Sequence, residues 1–75
     1  MTPAQCRAAR ALVDWSQQTL AETAQVSVST IFDFERERRD VSAQAIRKMR
    51  SALESAGVEF TNGGDGPGVR LRKMK

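Results

Sequence analysis

Three arginines, Arg36, Arg38 and Arg39, directly follow the stretch Ser27-Val28-Ser29-Thr30-Ile31-Phe32-Asp33-Phe34-Glu35. A guanidinium presents a planar fork of N–H donors that matches the oxygens of a phosphate or carboxylate. Ser16, Gln17, Ser27 and Thr30, just upstream, add neutral donors suited to the same kind of anion. Other chemistry is excluded by composition. With no histidine and one cysteine, the chain lacks a histidine-dependent triad, an internal disulfide and enough soft ligands for structural zinc. The glycines between Gly63 and Gly68 do not open a helix, so they do not form a nucleotide-cradling loop. We therefore expect binding rather than catalysis, with no cofactor and no metal. Cys6 is expected as a small, half-buried residue of the first helix.

The charge supports a polyanionic partner through its distribution. The 75 residues carry a net +3. Residues 1–35 hold two basic and four acidic side chains, whereas residues 36–75 hold ten basic and five acidic. Arg70, Arg72, Lys73 and Lys75 crowd the last six positions without an acid. By themselves, Arg47, Lys48 and Arg50 suit a solvated helix face. No apolar run approaches the length of a membrane span, and the first residues lack a charged-then-apolar leader pattern, so the expected location is cytoplasmic.

Helices must position these groups. Thr2-Pro3-Ala4-Gln5 has a cap, a proline at the first helical position and a capping-box glutamine. Cys6, Ala9, Leu12 and Val13 follow on one side, and this helix should end near Asp14. Ser16 caps a second helix over 17–24, with Leu20, Ala21 and Ala24 inward. Gln25-Val26 makes a turn, and Ser27 caps a third helix over 28–37. Ile31 and Phe34 of that helix point inward, while Val28, Ser29, Phe32, Asp33 and Arg36 point out. An exposed valine and phenylalanine on one short helix suit a surface that meets another molecule. After a polar connection, Ser42 caps a fourth helix with Ile46, Met49 and Leu53 inward, closed by Gly57. The period then changes to two. Val58-Glu59-Phe60-Thr61 and Val69-Arg70-Leu71-Arg72 predict a hairpin around a turn-rich Asn62–Gly68, with Val58, Phe60, Val69 and Leu71 on its apolar face.

Two short helices joined by a tight turn, with a buried apolar thread through both, form the pattern of a DNA-reading helix-turn-helix. The residues Trp15-Ser16-Gln17, Leu20-Ala21, Val26-Ser27, Ser29-Thr30-Ile31 and Phe34-Glu35 resemble the phage-repressor-like helix-turn-helix family, also called the xenobiotic-response-element family. The resemblance spans residues 5–56. It implies a mainly α fold of four or five helices, here four in a helical DNA-binding unit over 1–57, with a β-hairpin or strand and basic extension over 58–75. It also implies a buried ion pair between Arg10 and Glu35, tethering the first helix to the end of the third, and places Gln17 against the phosphate backbone. The family turn usually has glycine where this chain has Gln25, and a non-glycine residue there costs roughly 1–2 kcal/mol, so the turn should be strained or reshaped.

The resulting expectation is a sequence-specific regulator of transcription, a repressor or autoregulator. Helix 28–37 would enter the major groove and bring Val28, Ser29, Phe32 and Asp33 to base edges. Ser16, Gln17, Ser27, Thr30, Arg36, Arg38 and Arg39 would hold the backbone and fix register. One such unit touches too few base pairs for useful specificity, so a homodimer on an inverted repeat is expected. The hairpin residues Val58, Phe60, Val69 and Leu71 are one candidate interface, and the fourth helix, through Met49 and Leu53, is the other. The alternative is a protein-binding module on the same scaffold, an antitoxin or anti-activator, suggested by the uncharged Val28 and Phe32.

Overall fold

Each helix of the chain begins at a hydroxyl. Thr2, Ser16, Ser27 and Ser42 lie in extended backbone, and their side chains accept from the amides of Gln5, Thr19, Thr30 and Ala45. Each bond satisfies one of the N–H groups that a helix start leaves without a partner. The computed structural model describes residues 1–63 and 66–72. The element order is α1 (Pro3–Val13), α2 (Gln17–Ala24), α3 (Val28–Glu35), α4 (Ala43–Ser55), β1 (Val58–Gly63) and β2 (Gly66–Leu71). The expected turn residues Gly64 and Asp65, and the terminal Lys73 and Lys75, lie outside the described residues.

The helices end by tertiary demand as much as by sequence. Asp14, Gln25 and Glu37 all take left-handed backbone, with φ of 57°, 61° and 56°. The expected strain at Gln25 is therefore real and the turn is not reshaped. The amide of Val26 donates back to the carbonyl of Ala21 at 3.0 Å, closing α2 as a glycine would have done. Glu37 corrects the expected end of α3. The helix stops at Glu35 rather than 37, because Arg36 caps it and Glu37 reverses the chain, with the amide of Arg38 donating to the carbonyl of Asp33 at 2.9 Å. Gly57, at φ 106°, follows α4 as expected.

The core draws on every helix and on the first strand. Cys6, Ala9, Leu20, Ala21, Ala24, Ile31, Phe34, Met49, Ala52, Leu53 and Val58 are buried, and Ile46, Val26 and Trp15 pack around them. Two expectations change here. Cys6 is fully buried rather than half-buried, because α1 lies with this residue directly over α3. Leu12, expected inward, is exposed, since the buried stripe of α1 runs through Gln5, Cys6 and Ala9.

The hairpin is antiparallel, with Val58 opposite Leu71, Phe60 opposite Val69 and Asn62 opposite Pro67. Its strands extend further toward the turn than the alternating residues alone predicted. An isolated two-stranded hairpin is barely stable in water, and here α1 supports it. The amide of Gln5 accepts from the Thr2 backbone at 2.8 Å and donates to the carbonyls of Thr61 and Gly68 at 3.2 and 2.9 Å. Gly68 passes so close to Thr61 that an added Cβ would lie 2.9 Å from its hydroxyl. At the far end Arg72 donates to the carbonyl of Glu54 at 2.9 Å, tying the strand to the last turn of α4. Val58 is 1% exposed and belongs to the core of its own chain. It therefore does not present the dimer contact expected of it, and Leu71, half exposed, is the apolar hairpin residue left open.

Candidate nucleic-acid interface

The helix pair α2–α3 is locked by one carboxylate. Glu35, at the end of α3, is almost wholly buried, and donors from α1 and α2 surround its two oxygens. Arg10 approaches with Nε at 2.7 Å and Nη2 at 2.8 Å, a two-pronged contact. Cys6 Sγ donates at 3.1 Å and Gln17 Nε2 at 3.0 Å. Arg10 also donates to the carbonyl of Trp15 at 3.0 Å, and Arg7 donates to the backbone carbonyl of Glu35. Three helices thus meet at one group. The ion pair expected from the family resemblance is present, while the parts played by Cys6 and Arg7 had no signal in the sequence.

Burial alone would raise the carboxyl pKa of Glu35, but the hydrogen bonds from Arg10, Cys6 and Gln17 outweigh it and hold the group below its ordinary range. The same hydrogen bond raises the pKa of Arg10. Burial, followed by the adjacent Glu35, pushes the Cys6 thiol far above its usual value. It is thus a protonated donor without nucleophilic character.

With α3 fixed, its outer face is turned toward solvent. Val28 is 42% and Phe32 36% exposed, and Ser29 is open beside them. The N-terminal end of α3 is lined with hydroxyls. Ser27 Oγ lies 2.8 Å from Thr30 Oγ1 and 3.3 Å from Ser29 Oγ. At the other end Arg36 caps the helix, and the turn at Glu37 folds Arg38 and Arg39 back toward it. Arg36 and Arg38 stand 5.1 and 5.8 Å from the centre of the Phe32 ring, a cation–π arrangement. Arg39 Nε donates to Asp33 Oδ2 at 2.8 Å, and Arg38 Nε lies 3.7 Å from Oδ1.

The expected base-contacting residues Val28, Ser29, Phe32 and Asp33 thus share one face. Two of them are already engaged by arginines that were assigned to the phosphate backbone. Asp33 departs most from expectation, because its carboxylate is paired within the chain rather than free to accept from a base. Gln17 also differs. Its amide is oriented by Glu35, which leaves its second N–H for another acceptor. Ser16 is exposed at the start of α2 and shares a hydrogen bond with Thr19.

Away from this face, Arg47 and Lys48 are exposed on α4 and line an open groove against the end of α2. Arg50 does not belong with them. It pairs with Glu54 at 2.9 Å and lies 5.0 Å from the Phe60 ring, holding the hairpin to α4. Among the described residues no helix is long and apolar enough to cross a membrane.

A protein-family model described as Helix-turn-helix matches residues 7–60, from the middle of α1 into β1. Comparison with curated proteins gives no match.

Proposed function

Since this chain belongs to the Cro/C1-type, xenobiotic-response-element-like helix-turn-helix family of DNA-binding transcription regulators, we propose that it acts in the cytoplasm as a homodimeric repressor or autoregulator. The observation that carries this reading is the outer face of α3. It is exposed, fixed in orientation by the Glu35 junction, and flanked by Arg36, Arg38 and Arg39. A major groove about 12 Å wide admits one helix. In that groove Val28 and Phe32 would lie against thymine methyls and Ser29 would donate to or accept from a base edge. Ser16, Gln17, Ser27, Thr30 and the three arginines would hold the flanking phosphates.

One protomer is 32 Å in its longest dimension, less than the pitch of the duplex. Two copies related by a two-fold axis would meet half-sites about 34–36 Å apart. Met49 and Leu53 of α4 are fully buried and cannot make that contact, so the hairpin edge with the half-exposed Leu71 is the interface this reading takes. The alternative, a module that binds another protein, draws on the same exposed Val28 and Phe32.

Fluorescence anisotropy tests the choice. The protein is titrated against duplex DNA from the region flanking its own gene, and against a scrambled duplex, at two salt concentrations. Selective binding that weakens with salt and saturates at two chains per site is expected. Equal, weak binding to both duplexes rejects the regulator. The double substitution Arg38→Ala/Arg39→Ala separates the readings further: it should abolish retention on DNA, whereas a protein-binding module would keep its partner.

A further inference from the structure

Asp33 and Arg39 sit where a regulator of this kind would meet DNA, and they are already bound to each other. The turn at Glu37 brings the arginine back along the last turn of α3. Its Nε then reaches Asp33 Oδ2 at 2.8 Å and its Nη2 lies 3.5 Å from Thr30 Oγ1. Arg38 stands on the other carboxylate oxygen at 3.7 Å. The Asp33 side chain is 21% exposed, while those of Arg39 and Arg38 are 52% and 64% exposed. The pair is therefore open to exchange with an incoming anion. A DNA phosphate and the Asp33 carboxylate present the same kind of oxygens to the same guanidinium, so they compete for it.

We propose that Asp33 is a specificity-determining guard, whose carboxylate competes with DNA phosphates for Arg39 and so suppresses binding to non-cognate sequences. The proposal rests on α3 being the DNA-reading helix. On an arbitrary duplex, a phosphate that takes Arg39 Nε must displace Asp33 from it. That leaves the carboxylate with Arg38 alone, at 3.7 Å, beside the like-charged backbone. A cognate site offsets this by giving Asp33 a donor of its own, and in the major groove the exocyclic amino groups of cytosine and adenine supply one. The residue then discriminates chiefly by what it opposes.

The test is a double-mutant cycle on a scrambled 30-base-pair duplex, read by anisotropy across a salt series. The four proteins are the wild type, Asp33→Asn, Arg39→Ala and the double variant. All the substituted side chains are at least partly exposed, and circular dichroism checks that each variant keeps its helices. Asp33→Asn is expected to tighten binding to the scrambled duplex about two- to five-fold. Its salt slope should steepen by about one unit as Arg39 takes up a phosphate. In the Arg39→Ala background the same substitution should lose most of that gain.

An undiminished gain without Arg39 overturns the guard, because general charge repulsion would then explain it. Unchanged or weaker binding by Asp33→Asn overturns it as well. The underlying reading is judged separately, by whether the wild type prefers the native fragment to the scrambled one. A wild type that discriminates while the cycle shows no coupling rejects the guard alone. A wild type that binds neither duplex rejects both.

Discussion

Glu35 and Asp33 stand two residues apart on one short helix. Both are carboxylates and both pair with arginine, yet they belong to different regions with opposite properties. Glu35 faces the junction of α1, α2 and α3. Its side chain is 3% exposed, and Arg10, Cys6 and Gln17 satisfy it. Asp33 faces outward, held by two mostly solvated arginines on the chain that follows the helix. Pairing alone therefore says little about what a charge contributes. In the junction, losing one partner would strand a buried charge, so the contact is fixed. At the surface, water or a phosphate replaces either partner at small cost, so the contact is exchangeable. One helix thus carries its anchor on one side and its adjustable contact on the other.

The sharpest way to break the comparison is to remove each carboxylate in turn. Glu35→Ala should destabilise the fold by about 3–5 kcal/mol in urea denaturation, because the half-buried Arg10 loses its counter-charge and Cys6 and Gln17 lose the acceptor they share with it. A loss below about 1 kcal/mol would place the two carboxylates in the same class.

Acid provides a second test of the junction. The pKa of Glu35 is lowered in the folded state, so its stabilisation is fully present above the ordinary carboxyl value near 4.5. It is lost as pH falls from there through the folded value. Stability measured against pH should fall across that window in the wild type and more shallowly in Glu35→Gln.

Cys6→Ala removes one donor and a little volume from the same junction. It should cost about 1–2 kcal/mol, and thermal melting reads it. The smallest effect belongs to Asp33→Asn, expected within about 0.5 kcal/mol of the wild type in stability. A large loss there would show that the arginines brace α3 rather than wait for a ligand.

The difference between the two regions also explains what was legible in advance. The caps Thr2, Ser16, Ser27 and Ser42 could be identified because a helix start is a local event, settled within three residues. The outward positions of Val28 and Phe32 followed from helical spacing. The hairpin was visible in its period of two, although its reach to Gly63 and Gly66 was not, since glycines carry no alternating side chains. Glu37 escaped notice because nothing in a glutamate announces left-handed backbone. That one reversal decides both where α3 ends and where Arg38 and Arg39 point.

By itself the sequence determined the helix boundaries set by caps, the helical and alternating periods, the concentration of positive charge after Glu35, and the lack of histidine. These depend on residue type and on neighbours within a turn or two. Tertiary structure alone decided that Cys6 and Gln17 serve Glu35, that Gln5 braces a hairpin more than fifty residues away, that Val58 joins the helical core, and that Asp33 is occupied by Arg39. The physical reason is that a polar group is satisfied by whatever donor or acceptor packing brings within about 3 Å. Except at tight turns and caps, that proximity is set by how the elements pack.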